Sequence, residues 1–136
     1  MYRRILVPLA LDHGLSQTLF DIARHLCGPE GQITALHVVE AAYGLAHATQ
    51  SEEFAQEAFD RARGLIEERI GGVGGIKAHV VEGHVYRSIL DFAEQQGVDC
   101  IIMGSHKPGP SDYLIGSTAA RVVRHANCAV HVHRKS

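Results

Sequence analysis

Cys100-Ile-Ile-Met-Gly-Ser-His-Lys-Pro-Gly-Pro-Ser-Asp-Tyr-Leu-Ile-Gly-Ser-Thr118 is the stretch that decides how this chain is read. Ile101 to Met103 is a short apolar run that ends in Gly104-Ser105. A polar loop with two prolines follows, and Gly116-Ser117 opens an apparent helix. Strand, glycine turn, loop and helix N-terminus in this order let a backbone come close to phosphates. They meet the phosphates with free N–H groups at the positive end of a helix dipole. In an α/β fold, a nucleotide would sit here.

Outward from that stretch, the chain alternates between strand and helix patterns. Arg4 to Pro8 is a short β-rich run without alternation, as a parallel strand buried on both faces requires. Leu15, Leu19, Ile22, Ala23 and Leu26 recur at helical spacing, and Gly28-Pro29 is expected to stop that helix. Ile33 to Val39 is the second strand. Thr49 and Glu52 have the spacing of a capping box, ahead of an amphipathic helix from Ala55 to Ile70. Gly71 to Gly75 is a flexible break rather than a nucleotide motif, because no strand precedes it. A third strand runs from Ile76 to Val81, and Val85, Ile89, Phe92 and Ala93 mark a helix ended by Gly97. Val98 to Met103, Gly116 to Ala126 and Ala129 to His133 supply the last strand, helix and strand.

The expected architecture is one domain over residues 1–136, an open five-stranded parallel sheet of order 3-2-1-4-5 with helices on both faces. Ligands of such sheets bind beyond the carboxyl ends of the strands, where the strand order reverses. With strands 1 and 4 as neighbours, the turn from Pro8 to Asp12 lies beside the Gly104 loop.

Composition narrows the partners. A formal charge of −2 gives no basic field for nucleic acid. No apolar segment reaches the roughly 18 residues of a membrane span, and Pro8 cuts the amino-terminal apolar run too early for a signal peptide. The three cysteines, Cys27, Cys100 and Cys128, are too few and too far apart for a disulfide framework, so reduced thiols in a cytoplasmic protein are expected.

Neither G-x-x-x-x-G-K-[ST] nor a G-x-G-x-x-G after the first strand is present, which argues against a P-loop hydrolase and an ordinary dinucleotide dehydrogenase. What the chain does resemble, over essentially its whole length, is a universal stress protein. The resemblance is carried by Ile5-Leu-Val-Pro8, Ala35-Leu-His-Val-Val39, Ile101-Ile-Met-Gly-Ser-His106 and the tail from Leu114 to Arg134. It implies a fold of the Rossmann-like, adenine nucleotide α-hydrolase-like kind. The family's ATP-binding members carry G-x2-G-x9-G-[ST] at the opening loop, and Gly104, Gly116 and Ser117 match its ends. Lys107 stands where the middle glycine belongs, with eight residues rather than nine before Gly116. The Ser-His-Lys-Pro sequence resembles a branch of the family that includes nucleotide binders. Lys107 would act on phosphate as a point charge, and Gly109, between Pro108 and Pro110, would supply backbone freedom.

By this resemblance, adenine and ribose are held near Pro8, Leu9, Ala10 and Val39. The family often has an acidic residue two positions after the proline; Ala10 stands there, and Asp12 is the candidate substitute. The triphosphate is expected on Gly104, Ser105, His106, Gly109, Gly116, Ser117 and Thr118, with Lys107 nearby and Met103 at the strand end below. Plainer roles compete: Ser117 and Thr118 also suit capping of the last helix, Asp12 the capping of the first, and Met103 and Cys100 the core.

His125, Cys128, His131 and His133 are metal-ligating types, but their spacing crosses a helix–strand boundary and no metal site is expected. The resemblance instead implies that the last strand, Ala129 to His133, pairs with its mate in a homodimer.

The function expected is that of an ATP-binding universal stress protein, with or without Mg2+. It would be a cytoplasmic, dimeric signalling module whose contacts with an unidentified protein partner depend on bound nucleotide. The alternatives are a nucleotide-independent dimeric regulator of the same family, such as a transporter regulator, or a slow ATP hydrolase. No catalytic residue stands out, because hydrolysis needs a group that orients water and nothing places Asp112 for that task.

Overall fold

A computed structural model of the chain describes residues 1–10, 16–40, 52–70, 74–105 and 116–134, without the side chains of residues 52, 54 and 55. The described elements are β1 (Tyr2–Pro8), α1 (Ser16–Leu26), β2 (Cys27–Glu40), α2 (Glu52–Ile70), β3 (Ile76–Gly83), α3 (Val85–Gln95), β4 (Cys100–Ser105), α4 (Ser117–His125) and β5 (Ala129–Arg134). The five strands form one sheet in the order β3-β2-β1-β4-β5, with every pairing parallel. This is the architecture expected from the alternation of patterns.

Each central strand sends alternate side chains to opposite faces, and both faces are covered. On one face, Ile5 and Val7 of β1, Ile33 and Ala35 of β2, and Cys100 and Ile102 of β4 pack under α1 and α2 through Leu19, Phe20, Ala23, Ala62 and Ile66. On the other, Leu6, Leu36, Val38, Ile101 and Met103 pack under α3 and α4 through Ile89, Ala93, Ala119 and Val122. Phe20 is fully buried; cutting such a ring back to Ala costs about 3–5 kcal/mol.

Strand boundaries lie within about two residues of the sequence reading except at the start of β2. β2 begins at Cys27, not Ile33, because Cys27 pairs with Tyr2 before the register shifts and Arg4 pairs with Gln32. Gly28 and Pro29 therefore lie within the strand, in an irregular stretch, rather than in a loop between helix and strand. α3 ends as expected at Gly97, whose φ of 65° needs glycine, with Val98 N–H bonded to the Ala93 carbonyl at 2.9 Å. Cys100 is buried as expected, whereas Cys27 and Cys128 are half-buried; all three are free thiols. Among the described residues no helix is long and apolar enough to cross a membrane.

The amino end of the sheet is clamped separately from its carboxyl end. The Asp99 carboxylate accepts the backbone N–H groups of Arg3 and Arg4, both at 2.9 Å, and the Arg4 guanidinium donates to the Gln96 carbonyl at 2.7 Å. With one end fixed to the α3–β4 connection in this way, the opposite edge is left to the loops that form the site.

Candidate functional site

All the strands are parallel, so their carboxyl ends, and the helix N-termini that follow them, meet at one edge of the sheet. A cleft of about 620 Å³ lies there, within the range of pockets that hold small ligands. Its described lining comes from the end of β1 (Pro8, Leu9, Ala10), the second half of β2 (Leu36 to Glu40), the end of β4 (Met103, Gly104), and the first residues of α1, α3 and α4. Ser16, Val85, Ser117 and Thr118 thus bring three helix N-termini to one space, and the positive ends of their dipoles favour an anion there.

The N-cap of α4 is Gly116, which has no side chain with which to cap the helix. Ser117 and Thr118, read from sequence as possible caps, are instead the first two helical residues, so their hydroxyls are not committed to closing their own helix. The Gly116 N–H is bonded to Ser105 Oγ at 3.0 Å. Ser105, 8% exposed, is the one buried polar side chain among the described residues, and this bond explains why a hydroxyl is tolerated there. The next N–H groups of the helix face the cleft end of the element, which is the arrangement that receives phosphate oxygens.

On the far side of the cleft, the first βα turn is held by β2. The Leu9 N–H donates to the Leu36 carbonyl at 2.8 Å, and the His37 Nδ1–H donates to the Leu9 carbonyl at 2.8 Å. Both polar groups of Leu9 are therefore satisfied by the neighbouring strand, which carries the β1–β2 pairing one residue past Pro8. A carbonyl partner fixes the proton of a neutral His37 on Nδ1 and leaves Nε2 as an acceptor.

Of the residues singled out from sequence, Pro8, Leu9, Ala10, Val39, Met103, Gly104, Gly116, Ser117 and Thr118 line this one cleft. Ser105 lies beneath it as a tether. Met103 belongs to both readings, since it is 4% exposed in the core and also borders the cleft. Asp12, His106, Lys107 and Gly109 lie outside the described residues, as does Thr49 of the capping box. Sequence reasoning did not single out Ser16, His37, Glu40 or Val85. For His37 a signal was present: a polar ring within the apolar run of β2 must find a hydrogen-bond partner once it is partly buried.

The histidines of the carboxyl-terminal segment do not converge. Among the described residues no three His, Cys, Asp or Glu side chains are placed to hold a metal ion. β5 is an edge strand that pairs only with β4 among the described residues, and its His131 is exposed.

With this geometry in hand, similarity to known proteins is informative. The universal stress protein family model matches residues 1–134. The chain is 33% identical over 142 residues to universal stress protein G of Shigella flexneri, covering 98% of this chain and 100% of that one. The universal stress protein UspA from Lactobacillus plantarum has the same fold, with a TM-score of 0.70 at 28% identity over 98% of each chain. The universal stress protein from Archaeoglobus fulgidus, solved in complex with dAMP, shares the fold with a TM-score of 0.60 at 18% identity, covering 96% of this chain and 97% of its own. Sequence motifs, strand order and family match agree, and the chain belongs to the universal stress protein family.

Proposed function

We propose that this protein binds ATP, with or without Mg2+, in the cleft at the carboxyl edge of the sheet, as a cytoplasmic, dimeric signalling module. The observation that carries the reading is the start of α4 at Gly116-Ser117-Thr118, whose N-cap is a glycine, set across the cleft from the β2-anchored turn at Pro8-Leu9-Ala10. The phosphates would take the α4 N–H groups and hydroxyls, and the nucleoside would lie toward β1 and β2. Because the described lining contains no Lys or Arg, the backbone and helix dipoles do most of the anion binding there. A relative in the same family that holds dAMP supports an adenine nucleotide as the ligand class.

Nucleotide occupancy would bias contacts with a partner only as far as affinity differs between the two states. The outer edge of β5 is the surface proposed for self-association. Two experiments test this reading. Freshly purified protein is denatured and its supernatant examined by mass spectrometry for adenine nucleotide, and ATP is added in a thermal-shift assay. Release of nucleotide, or a rise in melting temperature with ATP, is expected. No released nucleotide together with no shift at millimolar ATP overturns the proposal. Sedimentation should show a dimer.

A further inference from the structure

We propose that Glu40 is the residue that makes this cleft selective for ribonucleotides, its carboxylate accepting the 2′- and 3′-hydroxyls of the sugar. This inference rests on the nucleotide reading of the cleft and adds an assignment to it.

Side chains of β2 alternate between the two faces of the sheet with a period of two. Leu36 and Val38 point into the core beneath α3 and α4, so Glu40, the next residue in that series, belongs to the same face. It is the last residue of β2, it is exposed, and it lines the cleft. On that face of β4 the series Ile101, Met103 ends at Ser105, the residue bonded to the start of α4. On β1, between them, the series runs from Leu6 to Pro8. Glu40 and the α4 N-terminus therefore flank one floor, separated by two strand spacings of roughly 4.8 Å each.

Charge then decides which part of the ligand each end receives. Glu40 is the one carboxylate among the described lining residues, and no described cation pairs with it. Its register partner on β3 is Gly83, which has no side chain to cover it. A carboxylate repels phosphate, so the phosphates belong at α4 and the carboxylate must meet uncharged donors. Two vicinal hydroxyls offer two O–H groups to two carboxylate oxygens, a match that the single amino group of adenine lacks. The distance across Pro8, shortened by the reach of the glutamate side chain, places those oxygens beside the sugar next to the phosphates rather than at the far end of the base.

The test is calorimetric titration of ATP, 2′-deoxy-ATP, 3′-deoxy-ATP and 2′,3′-dideoxy-ATP into wild-type protein, Glu40→Gln and Glu40→Ala, with Glu82→Gln, an exposed carboxylate of β3 outside the described lining, as the control. Wild-type protein should prefer ATP to the dideoxy nucleotide by about ten- to a hundredfold, the scale of charge-assisted hydrogen bonds. Glu40→Ala should remove that preference by weakening ATP while leaving the dideoxy nucleotide within about threefold, and Glu82→Gln should leave the preference intact. Circular dichroism checks that the exposed substitution leaves the fold unchanged. Equal affinity of wild-type protein for ATP and its dideoxy form overturns the assignment while leaving nucleotide binding in place. So does a parallel loss of both ligands in Glu40→Ala, tighter ATP binding in that variant, or loss of the preference in Glu82→Gln. Failure of every nucleotide to bind overturns the parent reading and this one with it.

Discussion

The Ser105 hydroxyl accepts the Gly116 backbone N–H at 3.0 Å, fastening the last residue of β4 to the N-cap of α4. The two residues are 11 apart in sequence, so the bond joins the two ends of the segment between them. Replacing Ser105 with Ala leaves the Gly116 N–H without its acceptor and frees the two ends of that segment from one another. The loss should be about 1 kcal/mol, which is about fivefold in affinity. Calorimetry with ATP should show that weakening for Ser105→Ala and near-complete rescue for Ser105→Thr, which restores the hydroxyl.

Asp99 gives a pH dependence of stability. Burial acts to raise its pKa, but the backbone N–H bonds from Arg3 and Arg4, its own amide and the charge of Arg3 outweigh it, so the carboxyl sits below its ordinary value. A depressed folded pKa stabilises the fold above the unfolded value of about 4, and that contribution is lost as pH falls below it. Asp99→Ala should cost about 1 kcal/mol at pH 7, discounted for solvent exposure. In urea unfolding, the gap between wild type and variant should close as the pH is lowered toward 3.

The Cys100 thiol should be inert in the native protein. Burial above all, with Cys128 and Asp99 adding to it, pushes its pKa up to about 11. Since the thiolate is the reactive form, a disulfide-exchange reagent at pH 8 should label Cys100 only on unfolding. An acid whose folded pKa is raised keeps its stabilising effect below the unfolded value of about 8.5 and loses it as pH rises toward 11. Alkaline denaturation of Cys100→Ala should accordingly show a weaker pH slope in that window.

Much of this fold is legible in the sequence because buried parallel strands appear as unbroken apolar runs. Ile5-Leu-Val7 and Ile101-Ile-Met103 declare themselves, and Gly97 marks the end of α3. The start of β2 is not legible. Gly28-Pro29 is ordinary loop punctuation, and only the pairing of Cys27 with Tyr2 makes it part of a strand. At the site, the glycine–serine pairs at both ends of the loop are visible as local patterns. Contributions from β2 are not, because Glu40 and His37 come to share a cleft with Gly104 and Gly116 only when the sheet places β2 beside β1. The Ser105 tether is likewise a long-range bond that local pattern cannot give.

The irregular start of β2 yields its own prediction. A side chain at Gly31 would meet the Cys27 sulfur, with the Arg3 and Tyr2 carbonyls each 3.1 Å away. Backbone oxygens on the central strand cannot retreat cheaply, so Gly31→Ala should destabilise the protein by about 1–3 kcal/mol. Gly64, which has nothing within 4 Å of the same added atom, sits in the interior of α2, where Gly64→Ala should stabilise by about 0.5–1 kcal/mol. Thermal melts of the two variants should move in opposite directions.

The central claim is that adenine nucleotide binds through the α4 N-terminus. It is tested most directly by calorimetric titration of ATP into nucleotide-free wild-type protein and Gly116→Val. Saturable binding of one ATP per chain is expected in the wild type, weakened at least about tenfold when a branched side chain is placed at the helix start where phosphates would approach. No saturable binding in the wild type, or an unchanged affinity in a folded Gly116→Val protein, would contradict it.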